Sequence, residues 1–154
     1  MTSLNKGFYV GTYRHSLDAK GRLTVPSKWR FSGDEEEGSY LALPNPDGFI
    51  TVYPPKTTAA LEAKIENVSM LGDKDEANAL IQLFATGDRF GCDAQGRIGL
   101  SEELRRYAGL VKDAILIGTV TTFHIFAPEK CPAGGPMTPG KLNFDPALLR
   151  KYGL

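Results

Sequence analysis

Two tetrads, Asp18-Ala19-Lys20-Gly21 and Asp93-Ala94-Gln95-Gly96, are each followed by an arginine, Arg22 and Arg97. Aspartate accepts hydrogen bonds from backbone N–H groups just downstream and glycine takes the left-handed conformation, so each tetrad reads as a tight turn leading into a strand. Alternation then sets Leu23 and Val25 on one side with Arg22 and Thr24 on the other, and Ile98 and Leu100 opposite Arg97 and Gly99. Two chemistries fit arginines so placed. Guanidinium bonds bidentately to guanine O6 and N7, and a two-stranded ribbon is narrow enough for the major groove. Lys20, Arg14 and His15 stand beside the first arginine and Gln95 beside the second. Equally, Asp18 with Arg22 and Asp93 with Arg97 can be turn-stabilising ion pairs, a weak contribution at a surface. The residues alone leave both readings open.

Other chemistries find less support. Gly91 to Gly96 has the G-x-x-x-x-G frame of a phosphate loop, but Arg97-Ile98 stands where Lys and Ser or Thr are required. A Cys or Ser nucleophile needs a base, yet His15 lies just before the first turn and His124 sits in an apolar strand, the place of a satisfied structural histidine. The carboxylates of Asp34 to Glu37, flanked by Gly33 and Gly38, read as a solvated loop. Cys92 and Cys131 are too far apart for a C-x-x-C pair and have only His15 and His124 to help them hold a metal. No catalytic residue, metal site or cofactor is predicted, and the chain is read as a non-enzyme without a small-molecule substrate.

The tetrads belong to a longer repeat. Leu17 to Val25 is echoed 75 residues later by Cys92 to Leu100. After a one-residue slip, Tyr40-Leu41-Ala42-Leu43 aligns with Ala114-Ile115-Leu116-Ile117, and Phe49 to Pro54 with Phe123 to Pro128. Each half reads as strand, turn, strand, short helix, strand, turn, strand, with each turn joining the arms of a hairpin. The short helices fall at Pro26 to Arg30 and at Ser101 to Tyr107, the latter with Ser101 as N-cap. Between the halves, Leu61, Ile65 and Val68 keep helical spacing, as do Ala77, Leu80, Ile81 and Phe84 behind an Asp73-x-x-Glu76 capping pattern. These two amphipathic helices are expected to cover the sheets or meet another subunit. Cys131 to Lys141 is rich in Pro and Gly and reads as a linker or arm, with a last helical stretch at Asp145 to Tyr152 if something receives Leu148 and Leu149.

A chain of 154 residues, 42% hydrophobic and 23% charged, has room for one compact domain or two small units sharing a core. It holds no stretch of roughly 18 apolar residues, and Met1 to Tyr9 lacks the apolar core of a secretory signal, so a cytoplasmic, non-membrane protein is expected. The 18 basic and 18 acidic side chains cancel, but unevenly: residues 1–30 carry +5, 31–82 carry −7 and the remainder +2. Such asymmetry fits a basic face for a polyanion or a solvated mixed surface.

Four segments together resemble the MraZ family of bacterial transcriptional regulators: Asp18 to Pro26, Asp93 to Arg97, Arg106-Tyr107-Ala108-Gly109-Leu110, and Val52-Tyr53-Pro54. The likeness spans roughly Phe8 to Pro128, and a doubled D-x-x-G-R at this spacing is far more specific than either copy. The resemblance implies a mainly β, α+β fold: a double-split β-barrel of two tandem swapped-hairpin half-repeats, related to the AbrB and MazE DNA-binding folds. The halves would be 1–56 and 83–130, with a helical connector at 57–82 and a tail at 131–154. It further implies a ring-like homo-oligomer, nucleoid-associated, that binds G-rich direct repeats in double-stranded promoter DNA and represses its own division and cell-wall operon. Carried over by position, Arg22 and Arg97 contact DNA with Lys20 adjacent, and Asp18, Gly21, Asp93 and Gly96 hold the turns; Arg14, His15 and Gln95 complete the expected DNA-binding set, with phosphate attraction expected of Arg14, Lys28 and Arg30. Gln95 and Gly99 depart from the family pattern, so the second hairpin is expected to contribute less. The competing classes are an antitoxin-like or scaffold module whose main partner is a protein, and a small enzyme in which the arginines are structural.

Overall fold

The computed structural model describes residues 7–30, 40–67, 72–131 and 144–154. The first half runs β1 (Tyr9–Ser16), β2 (Arg22–Thr24), a 3-10 turn (Ser27–Trp29), β3 (Tyr40–Asn45) and β4 (Phe49–Tyr53). Helices α1 (Pro55–Glu66) and α2 (Lys74–Thr86) lead to the second half: β5 (Asp88–Phe90), β6 (Arg97–Gly99), α3 (Glu102–Ala108), β7 (Asp113–Val120) and β8 (Phe123–Phe126). A short α4 (Ala147–Arg150) follows, with Leu148 exposed. The helix starts obey their sequence signals. Asp73 Oδ1 accepts from the amides of Asp75 and Glu76, and Ser101 Oγ from that of Leu104 at 3.2 Å. Val68, the Asp34 to Glu37 run and most of the Pro- and Gly-rich segment fall outside the described residues.

The half-repeat order is as expected, but the strands pair differently. The large antiparallel sheet has the order β1-β7-β8-β4-β3-β5, and β2 with β6 forms a separate two-stranded ribbon. Exchanging each strand for its repeat counterpart reverses the large sheet's order and leaves it unchanged, so a pseudo-twofold axis passes between β4 and β8. The halves therefore trade strands: β1 pairs with β7, β5 with β3, and β2 with β6. The two arms of each tetrad do not form a hairpin ladder with each other. Tyr9–Ser16 finds an equally long partner in β7, whereas three-residue β2 could satisfy only part of its backbone.

The hydrogen-bond registers also correct the repeat alignment. Matching β1–β7 to β5–β3, and β3–β4 to β7–β8, puts Ile50 rather than Phe49 opposite Phe123 in the repeat. The first hairpin loop holds residues 46–48, between the paired Asn45 and Phe49. The second holds only Val120 and Thr121, closed by Thr119 N–H donating to the Thr122 carbonyl. That one-residue difference shifts the strand after it, and a one-residue shift would turn every side chain to the wrong face.

The ribbon lies over one face of the large sheet. Leu23, Val25 and Ile98 beneath it, and Ile50, Val52, Phe123 and Ile125 across from it, are 0% exposed in one cluster. Trp29 closes the side of this core, its ring 5.2 Å from Phe123 and 5.0 Å from Tyr13, with Nε1 donating to the Val10 carbonyl. The opposite face carries a smaller cluster of Ile115, Phe126 and Cys131, with Phe49 stacked on Phe126. There His124 bonds Thr51 Oγ1 through Nδ1 and Thr119 Oγ1 through Nε2, and burial pushes its imidazole below the usual range.

Helices α1 and α2 do not cover the sheet as their periodicity suggests. Nothing in α1 is buried and in α2 only Ala77, while Ile81 is 55% exposed. They lean on β3 and β4 and leave between them a groove of about 520 Å³ lined by Leu41, Leu61, Ile65 and Phe84. No helix among the described residues is long and apolar enough to cross a membrane.

Val120 has φ 70°, a conformation a β-branched residue adopts under strain, at the centre of a tight turn closed by the Thr121 N–H donating to the Thr119 carbonyl at 2.8 Å, where glycine would carry no such strain. Val120→Gly is therefore expected to stabilise the fold by about 1 kcal/mol, read as a raised urea midpoint at unchanged slope.

Candidate nucleic-acid interface

Each tetrad builds the same turn. Asp18 Oδ1 accepts from the amides of Lys20 (2.9 Å) and Arg22 (2.8 Å), Gly21 N–H donates to the Asp18 carbonyl, and Gly21 has φ +76°. Asp93 Oδ1 accepts from the amides of Gln95 and Arg97, both at 2.9 Å, and Gly96 has φ +80°. The second carboxylate oxygen then takes the arginine. Arg22 Nε donates to Asp18 Oδ2 at 2.6 Å, and Arg97 Nε to Asp93 Oδ2 at 2.9 Å. One carboxylate thus fixes both the turn and the direction of its arginine.

Clamping through Nε leaves the two-pronged Nη edge, which suits bidentate acceptors such as guanine or phosphate. Among the described residues, neither Arg22 Nη atom has a hydrogen-bonded acceptor, and Arg97 Nη1 stands 3.9 Å from Asp18 Oδ2, beyond hydrogen-bond range. Both side chains are about one-third exposed, 35% for Arg22 and 28% for Arg97, on the ribbon face away from Leu23 and Ile98. Asp18 therefore faces both arginines, whereas Asp93 is paired with Arg97 alone.

The ribbon holds the two tips in fixed relation. Arg22 pairs with Gly99, Leu23 with Ile98 and Thr24 with Arg97. Val25 N–H donates to the Gly96 carbonyl and Leu100 N–H to the Gly21 carbonyl, so each strand is extended onto the other half's turn. The tips differ chemically, with Lys20 on the first and Gln95 on the second.

Of the flanking residues read from the sequence, Arg14 and His15 lie on β1 in the large sheet rather than on the ribbon. Arg14 Nη2 is tied to Asp113 Oδ2 at 3.1 Å, and Ser16 Oγ donates to the other oxygen of that carboxylate, so Arg14's charge is partly compensated. Two arginines sit over the turns from elsewhere. The Arg105 guanidinium covers Gly21 and that of Arg30 covers Gly96, each so closely that a Cβ on the glycine would collide with it. Sequence reasoning missed Arg105, although the 75-residue offset of the repeat carries Arg30 onto it. Among the described residues no cluster of three His, Cys, Asp or Glu could hold a metal ion.

The comparisons decide the family. A protein of Rhodococcus jostii named "Transcriptional regulator MraZ" is 41% identical over 119 residues, covering 77% of this chain and 80% of its own. This chain belongs to the MraZ family. The family's model, described as "MraZ protein, putative antitoxin-like", matches residues 83–130. Transcriptional regulators MraZ of Natranaerobius thermophilus, 39% identical over 124 residues and 82% of that protein, and of Corynebacterium efficiens, 41% identical over 119 residues, agree. Their alignments span much more of the chain than the half-repeat matched by the MraZ model.

The turn carboxylates titrate low. Hydrogen bonding from the Arg22 amide, aided by the Arg22 side chain and the Lys20 amide, lowers Asp18 to about 2, and the Arg97 amide lowers Asp93 in the same way. A depressed carboxylate contributes stability that is complete above its unfolded value and is lost as pH falls through its folded one. The Asp18 turn is thus expected to persist below the ordinary value of 3.8 and to open near pH 2. Side-chain carboxyl NMR titration checks this, and an Asp18 midpoint near 3.8 would contradict it.

Proposed function

We propose that the chain is a sequence-specific, DNA-binding transcriptional regulator whose β2–β6 ribbon enters the major groove, with Arg22 and Arg97 reading guanines. The observation that carries this is the Nε clamp: on each tip an aspartate holds the guanidinium by one edge and leaves the bidentate edge on the outer face of the ribbon. A guanidinium already oriented loses less freedom on binding than a mobile one. Lys20 and Gln95 at the tips add contacts, and Arg14, His15 and Lys28 lie at the periphery.

The finer reading follows the family. The chain represses its own division and cell-wall operon by binding G-rich direct repeats as a ring-like homo-oligomer in the cytoplasm, associated with the nucleoid. The swapped registers support treating the large sheet and ribbon as parts of a double-split barrel in which two half-repeats replace a homodimer. The incompletely buried apolar side chains of α1 and α2 support assembly, since half-buried Leu61 and Ile65 and exposed Phe84 line a groove that a second copy would cover. Several ribbons on one body then meet successive repeats at effective concentrations of order mM, which offsets the chain's zero net charge.

Fluorescence anisotropy with the protein's own upstream DNA against a scrambled duplex, across several salt concentrations, tests the binding. Promoter preference is expected, with log K falling by roughly 0.9 per neutralised phosphate for each unit of log salt. Absence of both preference and salt dependence would reject DNA reading in favour of a protein partner. Arg22→Ala is expected to abolish promoter preference with fold and assembly intact, and Arg97→Ala to weaken it less; equal losses would overturn that ranking. Phe84→Glu should shift the species seen by light scattering to smaller oligomers while far-ultraviolet dichroism stays unchanged.

A further inference from the structure

The repeat offset that relates Asp18 to Asp93 also relates Trp29 to Leu104 and Arg30 to Arg105. Trp29 and Leu104 are buried to 1% and 0% exposure, one at the end of the 3-10 turn and the other in the first turn of α3. Each anchors the arginine that follows it. From these anchors the two side chains cross to opposite tips: Arg30, from the first half, lies over Gly96 of the second, and Arg105 lies over Gly21 of the first. For Arg105, Cζ and Nε stand 2.5 Å from the point a Gly21 Cβ would occupy, and Nε donates to the Leu100 carbonyl at 3.1 Å. Both glycines are buried although they belong to turns. The absence of a side chain at each turn thus serves two ends, a positive φ and a seat for a guanidinium.

A guanidinium packed over the glycine of a turn, and in Arg105 also tied to the Leu100 carbonyl, is less free to reach a base edge than those of Arg22 and Arg97 on the outer face of the ribbon. On a duplex entered by the ribbon, cations flanking the tips would meet the backbone phosphates that border the groove. We propose that Arg30 and Arg105 form a second, crossed pair of nucleic-acid contacts that take backbone phosphodiesters, one beside each base-reading tip. Four arginines then meet at the two turns in two roles, the pair on the ribbon for base edges and the pair reaching over from the 3-10 turn and α3 for phosphate registration. This inference rests on the DNA-binding reading above; it extends to Arg105 the phosphate attraction expected of Arg30 from the sequence, and assigns each guanidinium to the tip of the opposite half.

The two roles differ in salt dependence. A phosphate contact contributes to the slope of log K against log salt and leaves discrimination between sequences unchanged, whereas a base contact sets discrimination. The full-length protein, Arg30→Gln, Arg105→Gln and Arg105→Lys are titrated by anisotropy against promoter and scrambled duplexes over a range of salt, with thermal melting and light scattering as controls of fold and assembly. Each Gln variant is expected to show a slope shallower by about one per lost phosphate contact, with the promoter-to-scrambled ratio unchanged. Arg105→Lys keeps the point charge and is expected to restore the slope. Where a Gln variant does not fold, Arg105→Met, which keeps a long stem over Gly21, takes its place. Folded variants whose slope equals that of the parent would overturn the phosphate role and leave the pair as turn supports. Loss of the promoter ratio, as expected for Arg22→Ala, would make them base readers and overturn it equally. A parent protein showing neither preference nor salt dependence would instead reject the DNA reading, and this inference with it.

Discussion

Strands of three residues cannot stand by themselves, because each offers a partner too few hydrogen bonds and too little apolar surface to offset the entropy of ordering it. β2 and β6 exist because each is the other's neighbour and because Leu23, Val25, Ile98 and Leu100 press their common underside against the large sheet. Burying a branched side chain of this size contributes roughly 1.5–3 kcal/mol, so those four residues outweigh the short ladder they support. The swap follows from the same need. With β1 given to β7 and β5 to β3, the half-repeats cannot separate without losing the ribbon, and neither half holds a complete core.

On that ribbon, turn formation and arginine presentation are one event. Asp18 collects two amides and an Nε, and Asp93 does the same, so the carboxylate that closes the turn also points the cation. The exposed ion pair adds little stability as such, and its value lies in orientation. The choice between a structural ion pair and a recognition group, open on the residues alone, is thus a false alternative: the geometry allows the same contact to serve both.

The sequence makes local chemistry legible and partner choice much less so. The Asp-x-x-Gly turns and the Ser101 and Asp73 caps follow from side chains acting on their near neighbours, and the inward Leu23, Val25, Ile98 and Leu100 from alternation along short strands; the structural His124 is legible from its apolar strand, although its partner Thr51 stands 73 residues away. Which strand each strand bonds is set by matching lengths across the chain, and the Tyr9–Ser16 pairing with Asp113–Val120 leaves no local trace. The repeat alignment slips at Phe49 because a loop one residue shorter is invisible when apolar residues stand on both sides of the register. Helices α1 and α2 show the limit of periodicity, which marks a stripe without saying what covers it. Arg105 was hidden for another reason: its role depends on a glycine 84 positions earlier, met only through the swap.

The two tips are copies in backbone and not in side chain, Lys20 against Gln95, with Thr24 against Gly99 beside them. A homodimer built from one half-repeat could never acquire that difference, since a mutation in one arm would appear in both. Fusing the halves into one chain lifts the restriction and gives the ribbon a head and a tail. A bound duplex would then be held in one direction in preference to the other, so the arrow of the site would be written into the protein. In the ring proposed above, successive copies would all point the same way along the helix, an order that inverted, palindromic sites could not satisfy.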